Sequence, residues 1–191
     1  TNKYKYFVAN WKMYGHINSV KSLKKVIQFQ NSFKSYKYKI IYCPPFTLLN
    51  SFVKNLVKSK IEVGAQNCHF KEFSGPYTGF ISSKMIKNIG CKYVIIGHSE
   101  SRTEGDTNFK INKKIQSSII SKLNIFFCFG ESLKEKKNNL TKKVLKKQIF
   151  EGLKKIKKFD KIIFAYEPIW SIGTGVIPKS KDLEENFNYI K

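Results

Sequence analysis

The sequence predicts an α/β fold in which the strands of a parallel sheet alternate with helices. Short apolar runs recur along the chain, and helix-length segments with apolar residues at three- and four-residue spacing separate them. No Pro-, Ser- or Gly-rich linker interrupts this alternation. Because a chain of 191 residues can bury one good hydrophobic core, we expect residues 1–191 to form a single domain.

Six apolar runs have the length and composition of buried strands. They lie at residues 6–10, 39–43, 61–66, 93–97, 125–130 and 162–166. Between them, segments such as 20–27 and 140–156 have one apolar face and an opposite face that is mostly lysine, which predicts surface helices with solvated lysines. This pattern fits a closed barrel and an open doubly wound sheet equally well, because both are built from βα units.

The end of the first strand argues against a nucleotide-binding sheet. Such a sheet carries a glycine-rich phosphate turn of the pattern G-x-G-x-x-G after an early strand. Here the first strand is followed by Asn10, Trp11 and Lys12. The motifs at the strand ends therefore have to distinguish a barrel from an open sheet.

The chain is strongly basic, with 36 basic and 13 acidic residues and a formal net charge of +23. Such an excess would ordinarily suggest nucleic acid or an anionic membrane as a partner. However, Arg102 is the single arginine, whereas proteins that read bases or bind phosphates favour the bidentate guanidinium. The lysines are also spread over every predicted helix, so we attribute the charge to compositional drift and expect no specific nucleic-acid partner.

The four cysteines lie far apart and lack the C-x-x-C spacing of zinc sites or dithiol redox sites. Cys43, Cys68, Cys91 and Cys128 are therefore expected to be buried thiols, with no metal and no cofactor. The first residues lack the apolar segment of a signal peptide, and no run of about 18 apolar residues is present. We expect a protein of the reducing cytoplasm with no membrane partner.

Residues 165–175 combine one carboxylate with a glycine-punctuated loop. Glu167 follows the sixth apolar run, at the strand end where catalytic groups of parallel α/β proteins lie. Pro168 and Trp170 restrict the first turn of the loop, while Gly173 permits backbone angles that other residues avoid. The segment is typical of a catalytic base beside a lid, and the alternative is an ordinary strand-to-helix turn.

Three further segments place polar residues at predicted strand ends, namely 8–13, 95–100 and 128–131. Together with residues 165–175, they resemble the signatures of the triosephosphate isomerase family, in the family's order and at nearly its spacing. The resemblance covers residues 4–191. It implies a TIM (β/α)8 barrel with about six βα units in this chain. It also implies an isomerase of glycolysis and gluconeogenesis that interconverts dihydroxyacetone phosphate and glyceraldehyde 3-phosphate through an enediolate.

The same resemblance implies the catalytic roles of individual residues. Glu167 would move the proton between the two carbons, and His98 would hydrogen-bond the substrate oxygens as a neutral electrophile. If a helix begins after His98, its positive end disfavours the imidazolium. Asn10 would orient the substrate, and Lys12 would stabilise the charge of the enediolate and the phosphate. Because residues two apart on an extended strand point the same way, Asn10 and Lys12 are expected to share a direction.

Supporting roles follow from the resemblance as well. Glu100 resembles a carboxylate that pairs with Lys12, with a weak surface salt bridge as the alternative. Ser99, the neighbour of Glu100 in the sequence, is likewise expected to support the catalytic residues without contacting the substrate. Gly173 in the lid would offer its backbone N–H to a phosphate oxygen, because a glycine lets the main chain approach closely.

The loop that begins at Lys71 and ends at Gly79 resembles the long loop through which members of the family form homodimers. Phe80 and Ser101 stand where the family usually has a glutamate and an arginine, close to the expected dimer contact. A small enzyme rarely carries so long a loop without a function. We therefore expect a homodimer through residues 71–79, with a plain surface loop as the alternative.

The last residues resemble the helix that follows the lid, so the chain is expected to be truncated before the last two βα units of the barrel. In the family, those units supply a serine and a Gly-Gly turn that hold the phosphate, and no residue here can be given those roles. The sheet would keep open edges. A catalytically impaired barrel fragment or structural partner is therefore the alternative function, and a basic nucleic-acid binder is a third hypothesis.

Overall fold

The computed structural model describes residues 4–32 and 37–191. Its six strands, β1 to β6, are Lys5–Asn10, Tyr38–Cys43, Glu62–Ala65, Tyr93–Ile96, Asn124–Phe129 and Ile162–Tyr166. They form one sheet in the order β1-β2-β3-β4-β5-β6, and every neighbouring pair is parallel. Each strand lies within about one residue of its expected bounds, because each apolar run is long enough for a buried strand and too short for a helix.

The described residues contain eight α-helices between and after the strands. Helices α1 to α8 are Leu23–Ser32, Leu49–Leu56, Ser83–Asn88, Ser99–Thr103, Asn108–Ile120, Leu133–Lys137, Thr141–Gly152 and Ser180–Ile190. Several begin at a hydroxyl residue that accepts a backbone N–H, as Ser82 does for α3 and Thr107 for α5. Ser132 and Glu135 form a reciprocal capping box at the start of α6.

The strands contribute side chains to two separate cores. The larger core lies between the sheet and the helices, where Val94 and Phe127 of the strands join Phe52 of α2 and Ile115 of α5. The smaller core consists entirely of strand residues: Ile41, Cys43, Tyr93, Ile95, Phe126 and Cys128. Helices on one face of a consecutively ordered parallel sheet, with strand side chains filling the other, indicate a barrel architecture. A doubly wound sheet reverses its strand order and has helices on both faces.

All four cysteines are buried free thiols, as expected. In the described part of the chain, no helix is long and apolar enough to cross a membrane. A search of those same residues finds no group of three or more His, Cys, Asp and Glu side chains that could hold a metal ion.

One lysine departs from the expected solvated helix faces. Lys114 of α5 is only 5% exposed, and its Nζ lies 2.7 Å from Asp106 Oδ1 and 2.9 Å from Asn67 Oδ1. A buried ammonium is costly unless a charged partner and further acceptors surround it, and both are present here. The prediction that the helix lysines are solvated is therefore wrong for Lys114.

Candidate active site

The carboxyl ends of the strands bring four ionisable side chains into one line of contacts. Lys12 Nζ lies 2.8 Å from Glu100 Oε1, and Glu100 Oε2 lies 3.5 Å from His98 Nδ1. On the other side of the ring, His98 Nε2 lies 3.4 Å from Glu167 Oε2. Residues that are distant in the sequence thus meet at the edge of the sheet where βα proteins place their catalytic groups. We call Lys12, Glu100, His98 and Glu167 the charged cluster.

His98 is the N-cap residue of α4. Its Nδ1 accepts the backbone N–H of Glu100 at 3.3 Å, so the proton of the neutral ring lies on Nε2, the atom that faces Glu167. Burial lowers the pKa of His98, while Glu100 opposes this shift and Lys12 adds to it. The imidazole is therefore neutral near pH 7 with one N–H directed into the site, which suits a hydrogen-bond donor to a substrate oxygen.

Glu167 directly follows β6, and its side chain is 15% exposed. Burial raises the pKa of this carboxyl to about 7. The backbone N–H of Ser99, which donates to Oε1 at 2.7 Å, has the opposite effect and lowers the pKa. Arg102 and Lys12 also lower the pKa, and Glu100 raises it. A carboxyl that titrates near physiological pH can both accept and return a proton, because neither protonation state is strongly disfavoured.

Lys12 does not continue the first strand. Strand β1 ends at Asn10, and Lys12 has a φ of 51°, in the left-handed region. Asn10 Oδ1 accepts the Lys12 N–H at 3.0 Å, and Gln66 Nε2 donates to the Lys12 carbonyl at 2.8 Å. The expectation of a shared direction for Asn10 and Lys12 assumed an extended backbone, and the structure does not have one at Lys12. Asn10 acts through the Lys12 backbone in this structure.

The loop after Glu167 begins with a short 3-10 turn, Ile169–Ser171, and contains Gly173 with a φ of 69°. A Cβ placed on Gly173 would meet no atom within 4 Å, so the backbone is open to solvent at this point. The structure therefore brings Ser99 and Asn10 to the charged cluster through backbone hydrogen bonds, whereas Gly173 lies outside these contacts.

Glu131 is a buried carboxylate that the sequence analysis left without a role. It is 1% exposed and accepts the Trp170 indole N–H at 2.7 Å and the Tyr166 hydroxyl at 3.0 Å. These bonds attach the end of β6 and the first turn of the loop after Glu167 to the segment that follows β5. The sequence of residues 128–131 could have indicated this role. A carboxylate that directly follows a buried strand is costly unless hydrogen-bond donors surround it.

The loop of residues 71–79 is irregular and largely exposed. Beside it, the His69 ring lies 4.9 Å from the Tyr77 ring and 4.5 Å from the Phe80 ring, measured between centroids. A cavity of about 660 Å³ lies in this region and is lined by His69, Phe80, Glu100 and Lys114, among others. Glu100 therefore contacts Lys12 and His98 and also lines this cavity.

Comparisons with known proteins agree on one family. The family model of triosephosphate isomerase matches residues 5–191. The triosephosphate isomerase of Dictyoglomus thermophilum is 45% identical over 185 residues, which cover 95% of this chain and 73% of that protein. That of Clostridium botulinum strain Okra is 40% identical over 190 residues, covering 96% and 74%. The crystal structure of triosephosphate isomerase from Bartonella henselae superimposes with a TM-score of 0.86 at 35% identity, covering 97% of this chain and 73% of that one.

Proposed function

We propose roles for the residues of this site from the premise that the chain belongs to the triosephosphate isomerase family. The predicted family, TIM-barrel fold and isomerase class are thereby confirmed. The reaction is the interconversion of dihydroxyacetone phosphate and glyceraldehyde 3-phosphate by proton transfer through an enediolate. The observation that carries the residue roles is the charged cluster, in which a glutamate with a raised pKa faces the N–H of a neutral histidine.

Glu167 takes a proton from one carbon of the triose phosphate and returns it to the neighbouring carbon. The same carboxyl therefore acts first as a base and then as an acid, which a pKa near 7 supports in both directions. In the resting state, Oε1 accepts the Ser99 N–H, and this bond lowers the pKa. Release of that bond when the carboxylate turns to the substrate makes Glu167 a stronger base.

His98 and Lys12 stabilise the charge that develops when the proton leaves. The Nε2–H of His98 donates to the oxygens of the enediolate. In the resting enzyme the ring is neutral, and its Nδ1 accepts the backbone N–H of Glu100. The ammonium of Lys12, held by Glu100 at 2.8 Å, offsets the negative charge of the enediolate and the phosphate. Asn10 serves the same end by holding the backbone turn that carries Lys12.

The loop after Glu167 closes over the bound substrate. The bonds of Glu131 to Trp170 and Tyr166 keep the first turn of the loop fixed, so that movement is confined to the residues beyond it. Gly173 then offers its backbone N–H to a phosphate oxygen. Closure expels water from the carboxylate and strengthens each electrostatic contact in the site.

A cytoplasmic homodimer completes the proposal. The exposure of residues 71–79 and the adjacent cavity of about 660 Å³ support an intersubunit contact beside Glu100. Four buried free thiols support residence in a reducing compartment. Light scattering of the purified chain should give about twice the 22.2 kDa of one copy. A mass of one copy at micromolar concentration would remove the dimer from the proposal.

The residue roles are tested by a coupled assay that consumes glyceraldehyde 3-phosphate as it forms. Glu167→Gln should lower kcat by about 10²–10⁴-fold, because glutamine cannot carry the proton. Glu184→Gln, at an exposed glutamate of α8, is the matched control and should change kcat less than about twofold. Equal activity of the two variants would exclude Glu167 as the base. A folded parent chain without turnover would instead favour a catalytically impaired barrel.

A further inference from the structure

The single arginine of the chain occupies a position that is unlike those of its lysines. Arg102 Nε donates to the Gly97 carbonyl at 2.7 Å, and Nη2 donates to the Cys128 carbonyl at 3.2 Å. Nη1 donates to Asn108 Oδ1 at 2.7 Å. Three acceptors in different directions match the rigid, planar fork of a guanidinium. A lysine ammonium at the end of a flexible stem does not reproduce this set of bonds.

The composition makes this position informative. All other basic residues of the chain, 35 of the 36, are lysines. Those within residues 4–32 and 37–191 lie on helices, strands and loops alike. Even the buried cation of α5 is a lysine, Lys114, which Asp106 and Asn67 satisfy. A chain that uses lysine for every other positive charge keeps an arginine where charge alone is insufficient. The requirement at Arg102 is therefore the geometry of the guanidinium.

The two carbonyls that Arg102 binds belong to strand ends of the active site. Gly97 lies between β4 and His98, and Cys128 is the next-to-last residue of β5. A Cβ added to Gly97, which has a φ of 81°, would lie 2.7 Å from the Cys128 oxygen, so the two segments are in very close contact. Arg102, from α4, binds the carbonyl of the residue before His98 and that of Cys128, and so restrains the backbone from which the imidazole projects.

The guanidinium charge also acts on the base. Among the charged side chains around Glu167, Arg102 has the largest effect on its carboxyl, and that effect lowers the pKa. Lys12 acts in the same direction and Glu100 in the opposite one, while the His98 ring is neutral. The remaining titratable neighbour is Cys128, a buried thiol whose raised pKa keeps it uncharged near neutral pH.

We propose that Arg102 is a positioning residue that fixes the carboxyl ends of β4 and β5 next to His98 and stabilises the negative charge of Glu167 with its own positive charge. The guanidinium touches no substrate; it acts through the backbone before His98 and through its charge. This inference rests on the proposed role of Glu167 as the base.

Two substitutions at Arg102 separate the geometric contribution from the charge. Arg102→Lys keeps the charge but loses the three-way bonding, so kcat should fall about tenfold or more with a smaller change in KM. The pH profile of kcat/KM falls toward low pH as Glu167 is protonated, and we call this part the acid limb. In Arg102→Lys the acid limb should lie at the same pH as in the parent. Arg102→Gln also removes the charge, so the acid limb should move to higher pH by roughly 0.5–1 unit. The phosphate of the substrate ionises alike in every variant, so the difference reports Glu167.

If the Arg102 variants do not fold, a substitution at Asn108 tests the inference instead. Asn108→Asp keeps the acceptor at Nη1 and adds a negative charge beside the guanidinium, which cancels part of its effect on Glu167. The acid limb should again move to higher pH, while kcat well above that limb stays within about twofold of the parent. The substitution also replaces the amide that donates to Glu151 Oε2 at 2.8 Å with a second carboxylate. Asn108→Asp is therefore made together with Glu151→Gln, and Glu151→Gln alone is its control.

Lys146→Gln, at an exposed lysine of α7, is the control for the loss of one positive charge and should leave kcat and the pH profile unchanged. A merely structural Arg102 would lower the unfolding temperature but give parental kcat and a parental acid limb in the folded fraction. That result, or an unmoved acid limb in Asn108→Asp combined with Glu151→Gln, would overturn the inference. If Glu167→Gln is inactive while these variants match the parent, this inference fails alone. If Glu167→Gln is fully active, the proposed function fails first.

Discussion

Two carboxylates at strand ends, Glu62 and Glu167, have similar exposed fractions, but their pKa values shift in opposite directions. Their side chains are 16% and 15% exposed. Glu62, at the amino end of β3, accepts the Tyr93 hydroxyl at 2.9 Å, Lys92 Nζ at 3.0 Å and Lys39 Nζ at 3.3 Å. Burial alone would raise the pKa of Glu62, but these donors together lower it. At the carboxyl end of β6, burial prevails and the pKa of Glu167 reaches about 7.

The difference shows that the exposed fraction of a carboxylate does not by itself decide its role, because the donors around it also set its pKa. Glu62 has three donors from side chains, two of them cationic, and is held in its ionised state as part of the structure. Glu167 has one backbone donor from Ser99, and its second oxygen faces a neutral His98. An incompletely satisfied carboxylate can take up a proton, which is what a general base requires.

Among the tests that compare the two ends of the sheet, removal of one lysine at each end should give the largest difference in activity. Lys12→Ala should lower kcat/KM by about 10²–10³-fold, because it removes the cation proposed to stabilise the enediolate and phosphate. Lys39→Ala removes a donor to Glu62 and should lower the thermal stability, while the folded protein keeps kcat/KM within about twofold. Steady-state kinetics beside thermal unfolding of both variants tests this. Comparable losses of activity in the two variants would contradict the expected difference in function between the amino and carboxyl ends of the sheet.

The two glutamates should affect stability in opposite directions. The pKa of Glu167 is raised from 4.5 to about 7 on folding, so its contribution is present below pH 4.5 and is lost as the pH rises through 7. Glu167→Gln should therefore be more stable than the parent at pH 8, by up to about 3 kcal/mol, and similar to it at pH 4. The pKa of Glu62 is lowered, so its contribution is present above 4.5 and is lost toward acid.

Glu62→Gln should accordingly be less stable than the parent at pH 8, with a difference that shrinks as the pH falls. Urea unfolding followed by circular dichroism between pH 4 and pH 8 measures both variants on one scale. A loss of stability in Glu167→Gln at pH 8 would contradict the unsatisfied state assigned to that carboxylate.

The smallest effect is expected at the hydroxyl of Tyr93. Tyr93→Phe removes one donor to Glu62 but keeps the ring, which stacks on Phe126 at 5.3 Å between centroids. The free energy of unfolding should fall by about 1 kcal/mol, and the activity should stay unchanged. Chemical denaturation and the coupled assay measure the two quantities. A change in kcat without a change in stability would connect the amino end of the sheet to catalysis.

The sequence predicted the sheet and the identity of the charged cluster better than it predicted local geometry. Apolar runs bounded by polar residues define strands on their own, which is why the expected bounds of β1 to β6 are correct to about one residue. Lys12, His98, Glu100 and Glu167 follow from motifs in a fixed order. The left-handed backbone of Lys12 does not, because it depends on bonds from Asn10 and from Gln66 of a distant segment.

The side-chain contacts between different strands could not be predicted from the sequence either. The three donors to Glu62 come from β2, from β4 and from the residue before β4, so no local pattern predicts them. The burial of Lys114 depends in the same way on Asp106 and Asn67, which lie in separate loops. Spacing along a chain predicts which face of an element a residue occupies, but the neighbours that decide its charge state come from the tertiary fold.

The pKa values of the two carboxyls are the most direct test of this comparison. Carbon-13 NMR of the glutamate carboxyls in the parent protein would give them, with Glu62→Gln and Glu167→Gln used to assign the two resonances. The expected result is a Glu167 pKa of about 7 and a Glu62 pKa below 4.5. A Glu167 carboxyl that titrates at or below 4.5, as an exposed glutamate does, would contradict the account of this residue as the base.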